Sequence, residues 1–209
     1  MRIVITVGGT REYIDPVRFI SNASSGRMGY ALARAALKAG HKVTLITAPT
    51  AQQPPSNARI VKVESAAQML EAVKKLFGLC DCLIMAAAVA DYTPIRSAKT
   101  KIKKTGNHLT IQLKPTTDIL KWAGKHKNKS QLVVGFALED TSLQRRAEQK
   151  LQEKNLDMIV ANTPAAVGAA RTSVLIKTAG RKWLKLRDAS KATIARKIIW
   201  LAEEIEMER

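Results

Sequence analysis

"RIVITVGGTREYIDPVRFISNASSGRMGYALARAALKAGHKVTLIT", Arg2 to Thr47, decides the fold. Arg2 to Val7 is a short apolar run of the kind buried in parallel sheets, and Lys42 to Thr47 is a second. Between them Met28, Leu32, Ala35, Ala36 and Ala39 form one stripe at helical spacing, closed by Gly40 as the residue after the helix cap. Strand, helix and strand in that order make a βαβ unit, which requires a parallel sheet with helices over its faces. Two flexible segments, Gly8 to Glu12 and Ile20 to Gly29, come before the helix starts. They put glycines and hydroxyls between a strand end and a helix start, at the edge where open α/β sheets collect ligands.

The alternation continues outward from that unit. Ala58 to Glu64 reads as a third strand, and Ser65 with Gln68 makes a capping box that opens a helix to about Phe77. "CLIMAAAVA", Cys82 to Ala90, reads as a fourth strand running towards Pro94, where it must end. Lys99 to Lys114 alternates apolar and polar residues on either side of Gly106-Asn107, which predicts a projecting β-hairpin with Lys101 and Lys103 on one face. Thr117 is expected to cap a helix over "DILKWAGKH", and Gln131 to Leu138 is a fifth strand. Ser142 to Lys154 reads as a helix and Leu156 to Ala161 as a sixth strand. "SVLIKTAGRKWLKL" is a second hairpin turning at Ala179-Gly180, and a helix from Lys191 to about Met207 closes the chain. With no repeat or low-complexity linker, residues 1–209 are expected to form a single domain. The expected class is α/β: a doubly wound, Rossmann-like, mostly parallel sheet of about six strands with helices on both faces, plus the projecting hairpin and the C-terminal hairpin.

Composition narrows the function. At 209 residues and 46% hydrophobic content the chain can bury one good core. It contains no run of about 18 uncharged apolar residues, so no membrane span is expected. The N-terminus begins as a strand, without the apolar region and cleavage site of a signal peptide, so a cytoplasmic location is expected. Cys80 and Cys82, expected on one face of a strand, read as buried thiols of a reducing compartment, with a metal or redox pair as the alternative. Lys+Arg 35 against Asp+Glu 17 gives a formal charge of +18, which attracts polyanions and keeps nucleic acid among the candidates. Aromatics are only 4% of residues and are not interleaved with the basic ones, which speaks against a stacking platform for single strands. The charge excess serves solubility equally well.

The peptide donors of Gly8, Gly9, Ser24, Ser25 and Gly26 can face one anion, the alternative being a long loop stiffened by its own Ser and Asn side chains. A dinucleotide fingerprint needs closely spaced glycines and an acid near the end of the second strand. Here the glycines are far apart and the strand ends Thr47-Ala48-Pro49. A Rossmann-type oxidoreductase therefore stays only as an alternative, and a triphosphate or phosphate ester is the expected ligand.

"GGTREYIDPVRFISNASSGRMGYALA", "AAAVADYTP", "KIKK", "TDIL", "VGFALE" and "LDMIVAN", in that order, closely resemble the phosphopantothenoylcysteine synthetase family, whose bacterial members are often fused to a flavin-dependent decarboxylase. The resemblance covers Arg2 to Asn162 and is read as a stand-alone synthetase, with any decarboxylase acting as a separate protein. It implies a ligase of coenzyme A biosynthesis that joins 4′-phosphopantothenate to L-cysteine. A nucleoside triphosphate, CTP or alternatively ATP, activates the carboxylate as an acyl nucleotide, and Mg²⁺ accompanies the phosphates. A homodimer is implied, with no membrane and no specific nucleic acid as partner.

Carried over residue by residue, the resemblance makes Asn22 the carboxamide that binds the acyl nucleotide, Arg18 a substrate-binding arginine and Lys101 the lysine that neutralises the triphosphate; the alternatives are, in turn, an Asn stabilising its own loop, a core-edge salt bridge and a solvated strand face. Gly8, Gly9, Thr10, Ser24, Ser25 and Gly26 are implied around the phosphates. Ala86, Ala87, Ala88 and Asp91 are implied around the nucleotide, with Phe136 against the base. The turn Thr117, Asp118, Ile119 and Leu120, and the lysines Lys150 and Lys154, are implied to contact the same ligand; Arg146 extends that row, which a charged solvent face explains equally well. No protein metal ligand is implied. The departures are Tyr13 for a usual proline, Ala23 where a basic residue is common, Arg27 for lysine, "TTD" without its usual proline, and "TPAAVGAARTS" after Asn162, from which nothing is carried over.

Overall fold

A computed structural model describes residues 1–106 and 108–209. The first apolar run forms β1 (Arg2–Val7), buried at each position from Ile3 to Val7. The excursion after it contains a small antiparallel pair, β2 (Arg11–Tyr13) and β3 (Phe19–Ser21), which the sequence pattern had not suggested. Helix α1 (Arg27–Lys38) follows, its cap residue Gly26 left-handed at φ 71°. It ends as expected: the Gly40 N–H donates to Leu37 C=O and the His41 N–H to Ala36 C=O, each at 3.0 Å. The buried residues of α1 are Gly29 to Ala33 with Ala36, so of the predicted stripe Met28 and Ala35 lie at the margin and Ala39, the C-cap, is exposed.

Next come β4 (Lys42–Thr47), parallel to β1, and β5 (Arg59–Lys62). Helix α2 (Ala66–Phe77) opens on the Ser65–Gln68 capping box read from the sequence. Strand β6 (Cys82–Met85) is shorter than predicted, because the Ala87 N–H leaves the ladder and donates to the Thr6 hydroxyl at 3.1 Å. Ala86 to Ala90 are therefore loop. Cys80 and Cys82 do not share a face either: Cys80 lies in the turn before the strand and packs on the α2 side, while Cys82 packs on the α1 side.

The predicted hairpin over Lys99 to Lys114 is corrected. A separate two-stranded sheet exists, but it pairs β7 (Tyr92–Pro94) with β8 (Leu113–Pro115), and the described residues from 95 to 112 carry no strand. Alternation needs a partner strand to become a strand, and the peptide groups of Ile102 are held instead by Asp15 and Arg18. Asn107 of the expected turn lies outside the described residues. Helix α3 (Ile119–His126) is capped by Asp118, not Thr117: its carboxylate accepts the Lys121 N–H at 2.9 Å, and a negative group suits a helix start.

Then β9 (Leu132–Leu138), α4 (Leu143–Glu153) and β10 (Met158–Asn162) complete the parallel part. The C-terminal hairpin is β11 (Arg171–Thr178) with β12 (Leu184–Ser190), followed by α5 (Lys191–Met207). It extends the main sheet antiparallel rather than standing apart, giving eight strands ordered β12-β11-β10-β9-β6-β1-β4-β5 among the described residues.

Helices α1 and α5 cover one face over a cluster containing Ile5, Leu32, Ile84, Val134 and Ile198. Helices α2, α3 and α4 cover the other over Ile46, Met69, Leu83, Leu120 and Ile159. Each fully buried aliphatic side chain contributes about 2 kcal/mol of transfer free energy, so both faces are strongly held. This is the doubly wound arrangement expected. From β1 the chain moves out to β4 and β5, then returns through α2 to the other side of β1 at β6, so strand order reverses between β1 and β6. The crevice for ligands belongs there, beyond the carboxyl ends of these two strands. No helix among the described residues is long and apolar enough to cross a membrane.

Candidate active site

Beyond Val7 and Met85 the two loops close on each other through backbone groups. Ala88 N–H donates to Gly8 C=O at 2.8 Å and Thr10 N–H to Ala88 C=O at 3.2 Å. The buried Thr10 hydroxyl accepts the Ala90 N–H at 2.9 Å. Such closeness requires glycine: Gly8 is left-handed at φ 87°, and a Cβ on Gly9 would lie 2.7 Å from the Asn22 carbonyl oxygen. The sequence-predicted Gly8, Gly9, Thr10, Ala86, Ala87 and Ala88 are thus brought together at the reversal point.

Asn22 joins them. It is exposed, and its Nδ2 donates to the Val89 carbonyl at 3.0 Å, bridging the loop before α1 to the loop after β6. Of the five peptide donors expected to face one anion, two are engaged within the loop itself. Ser24 N–H donates to Asn22 C=O at 2.8 Å and Gly26 N–H to the Ser24 hydroxyl at 3.4 Å. Ser25 is exposed at the mouth, with its carbonyl accepting from the Thr50 hydroxyl at 3.0 Å.

Arg18 belongs to a neighbouring knot. Its Nη1 donates to Asp15 Oδ2 at 2.8 Å and to the Ile102 carbonyl at 3.1 Å, and its side chain remains 42% exposed. Lys101, next to Ile102, is exposed. Asp15 is 0% exposed, yet its carboxyl is held below the usual carboxylate range. Burial alone would push it up, but N–H groups of Val17, Arg18 and Ile102 and the Arg18 charge favour the anion more strongly. Composition and motif reading missed Asp15. The Asp-Pro pair in "IDPVR" signals a turn, but not the contact with Ile102.

A second group of predicted residues sits on the α3 and α4 side. Lys154 Nζ pairs with Asp118 Oδ2 at 2.7 Å, and Lys150 Nζ with Glu139 Oε1 at 2.6 Å. Arg146 reaches the same Glu139 at 3.1 Å. Glu139, another residue missed, is buried at the carboxyl end of β9; burial raises its carboxyl, but Lys150 and Arg146 more than reverse this and lower it. Asp118 is likewise lowered, chiefly because Lys154 and the Lys121 N–H outweigh burial. This group is tied to the first through Thr116, whose hydroxyl donates to Ala90 C=O at 2.6 Å and whose N–H donates to Asp91 C=O at 2.8 Å. Asp91 and Thr117 are exposed, while Ile119 and Leu120 are buried in the first turn of α3. Phe136 is half-buried and packs with Ala86 on the α1 side, so it and the Thr117–Leu120 turn approach the crevice from opposite faces.

The buried thiols have no part in this. Cys80 is pushed up to about 12 by burial, and burial raises Cys82 further, so both stay protonated at neutral pH. Among the described residues no three His, Cys, Asp or Glu side chains gather as a metal-holding group. The arrangement offers backbone and amide donors at the reversal point with cations on both flanks, which suits a ligand of several negative charges.

Comparison with known proteins agrees in outline. Residues 1–205 match the family model described as the DNA/pantothenate metabolism flavoprotein C-terminal domain. The coenzyme A biosynthesis bifunctional protein CoaBC of Bacillus subtilis (strain 168) is 49% identical over 168 residues, 80% of this chain and 41% of that protein. A protein of an unknown prokaryotic organism, named cysteine/cysteine sulfinic acid decarboxylase, is 46% identical over 209 residues, 96% of this chain and 58% of that protein. The chain thus spans about half the length of these curated relatives. A crystal structure of the C-terminal domain of coenzyme A biosynthesis bifunctional protein CoaBC has a TM-score of 0.87 at 40% identity, covering 100% of this chain and 96% of that one.

Proposed function

The chain belongs to the family of DNA/pantothenate metabolism flavoprotein C-terminal domains, and we propose that it joins 4′-phosphopantothenate to L-cysteine in coenzyme A biosynthesis. The main support is its likeness, over the full chain, to the C-terminal domain of CoaBC. The glycine crevice at the β1–β6 reversal supports the same reading, since open α/β sheets take their ligands at such a point.

A carboxylate is a poor acyl donor until one of its oxygens becomes part of a leaving group. In the proposed first step a carboxylate oxygen of phosphopantothenate attacks the α-phosphorus of a nucleoside triphosphate, CTP by expectation and ATP as the alternative. The bond to the β-phosphate bridging oxygen breaks and pyrophosphate leaves. In the second step the cysteine amine attacks the acyl carbon, the nucleoside monophosphate leaves, and the amine proton is lost to solvent or base.

Gly8, Gly9, Thr10, Ser24, Ser25 and Gly26 would hold the phosphates, with Lys101 offsetting the charge that develops on the departing pyrophosphate. Arg18 would offer the substrate the part of its guanidinium not engaged by Asp15. Asn22 would exchange the Val89 carbonyl for the acyl oxygen, keeping the intermediate oriented for the amine. Ala86, Ala87, Ala88, Asp91, Phe136 and the Thr117–Leu120 turn would enclose the nucleoside. Lys150 and Lys154 would reach the phosphates by yielding part of their pairing with Glu139 and Asp118. Mg²⁺ would supply further charge neutralisation, held chiefly by phosphate oxygens. A homodimer, a cytoplasmic location and a decarboxylase acting elsewhere in the pathway belong to this proposal.

The test is a pyrophosphate-release assay with CTP or ATP, with and without phosphopantothenate and cysteine, and with product masses recorded. Release should require phosphopantothenate, and phosphopantothenoylcysteine should appear only when cysteine is present. Absence of both products rejects the proposal. Carbon dioxide release from cysteine with no nucleotide consumed would favour instead the reaction in the second relative's name.

A further inference from the structure

The strongest unassigned feature is the buried carboxylate of Asp15. Its Oδ1 accepts the N–H groups of Val17 and Arg18, both at 2.8 Å, which closes the turn at Pro16. Its Oδ2 accepts Arg18 Nη1 at 2.8 Å and the N–H of Ile102, 87 residues away in sequence, at 3.1 Å. Arg18 Nη1 also donates to the carbonyl of Ile102 at 3.1 Å. The acid and the arginine together therefore hold the N–H and the C=O of one residue, the neighbour of Lys101. A further bond, from the Ala98 N–H to the Ile14 carbonyl at 2.9 Å, secures the segment at its start. Nothing else about residues 98 to 102 forces a regular conformation, since they form no strand or helix.

We propose that Asp15 is a positioning residue: with Arg18 it clamps the peptide groups of Ile102 and so fixes the backbone from which Lys101 reaches the reacting phosphates. This rests on the ligase reading and adds to it a cause for the placement of an otherwise exposed lysine. A long lysine side chain neutralises charge at one point only if its root is fixed, and the misplacement of a catalytic group by about 1 Å can cost about 10²-fold in rate. A carboxylate is suited to the clamp because all its contacts are donors, and an ionised acid is acceptor only.

That chemistry gives a selective variant. In Asp15→Asn the amide oxygen can keep the turn bonds from Val17 and Arg18, while the amide nitrogen faces Ile102 N–H and the guanidinium, donor against donor. The clamp breaks while the turn remains. Asp15→Asn should lower kcat for pyrophosphate release by about 10²-fold while leaving the KM for nucleotide within about 3-fold of wild type. In a Lys101→Gln background Asp15→Asn should cause no further loss, because it acts through that lysine. A purely structural role would lower thermal stability without that split or that non-additivity.

Wild-type rates in Asp15→Asn, or losses that multiply in the double variant, overturn the proposal. If Asp15→Asn does not fold, Ile102→Pro removes the clamped N–H and leaves the Asp15–Arg18 pair in place. Full activity in Ile102→Pro also overturns it. A wild-type protein releasing no pyrophosphate rejects the ligase reading and this proposal with it, whereas an active wild type with an active Asp15→Asn rejects only the clamp.

Discussion

The two edges of one sheet are built differently. At the amino edge, charged side chains close the strand starts among themselves. Arg2 pairs with Asp81 at 2.6 Å, and Asp157, 6% exposed, takes Lys127 at 2.8 Å, the Arg209 guanidinium, and the Val133 N–H at 2.7 Å. At the carboxyl edge, the β1 and β6 loops close through backbone groups and short polar side chains, and Asn22, Lys101 and Asp91 stay exposed around them. Charges already satisfied by the protein stabilise the fold but have little left for a ligand. Donors held close together by glycines, with cations beside them, remain able to serve one. On the proposed reading the carboxyl edge works and the amino edge holds.

Two substitutions at the carboxyl edge should show the largest effects, on rate rather than stability. Lys101→Gln should lower pyrophosphate release by about 10³-fold, the scale for losing a charge aimed at a developing anion. Because Lys101 is exposed, its thermal midpoint should stay near wild type. Asn22→Asp should still release pyrophosphate but slow amide formation by about 10²-fold or more, since a second negative charge replaces an oriented donor beside the acyl nucleotide. Single-turnover measurement of the two half-reactions separates these outcomes, and equal loss of both steps in Asn22→Asp would remove its assigned role.

The amino edge should respond in the opposite sense. Asp157→Asn weakens charge-assisted contacts to Lys127, Arg209 and the Val133 N–H, and should cost about 2 kcal/mol of stability. For a chain of this length that lowers the thermal midpoint by roughly 6 °C. The folded fraction should keep wild-type kcat and KM. A fall in kcat at full folding would mean that the two edges are coupled and the contrast between them is false.

Much of this contrast could be read from sequence, but only for features carried by neighbours along the chain. Local periodicity sufficed for β1, α1 and α5, and the Ser65–Gln68 capping box needed only a three-residue spacing. The glycines and hydroxyls before α1 marked the carboxyl edge for the same reason. What failed depended on distant partners. Lys101 to Lys103 alternated like a strand, but whether their peptides pair in a sheet was settled by Asp15 and Arg18 in another segment. Thr117 and Asp118 are both acceptable caps, and the choice between them depended on which one faced the Lys121 N–H. The C-x-C spacing suggested one strand face, yet a turn separates Cys80 from Cys82 and puts them in opposite layers.

The smallest expected effect lies where the edges meet in character, at Glu139, a buried acid on the working side. It holds Lys150 at 2.6 Å and Arg146 at 3.1 Å, so this pairing resembles the amino edge although the residues flank the crevice. If Lys150 serves phosphate, Glu139 competes with the ligand for it and also repels the ligand's charge. Glu139→Gln should then lower the nucleotide KM by a few-fold, with a stability cost of about 1 kcal/mol or less because both cations are substantially solvated. Since its carboxyl is lowered in the folded protein, the stabilisation by Glu139 is fully present above the ordinary value of 4.5 and is lost as pH falls through the lowered value. Between pH 6 and 8 the wild type and Glu139→Gln should therefore show parallel KM profiles, separated by a constant factor. A raised KM in the variant would show that the acid orients Lys150 for the ligand rather than withholding it, and would move Glu139 from the holding class of residues to the working one.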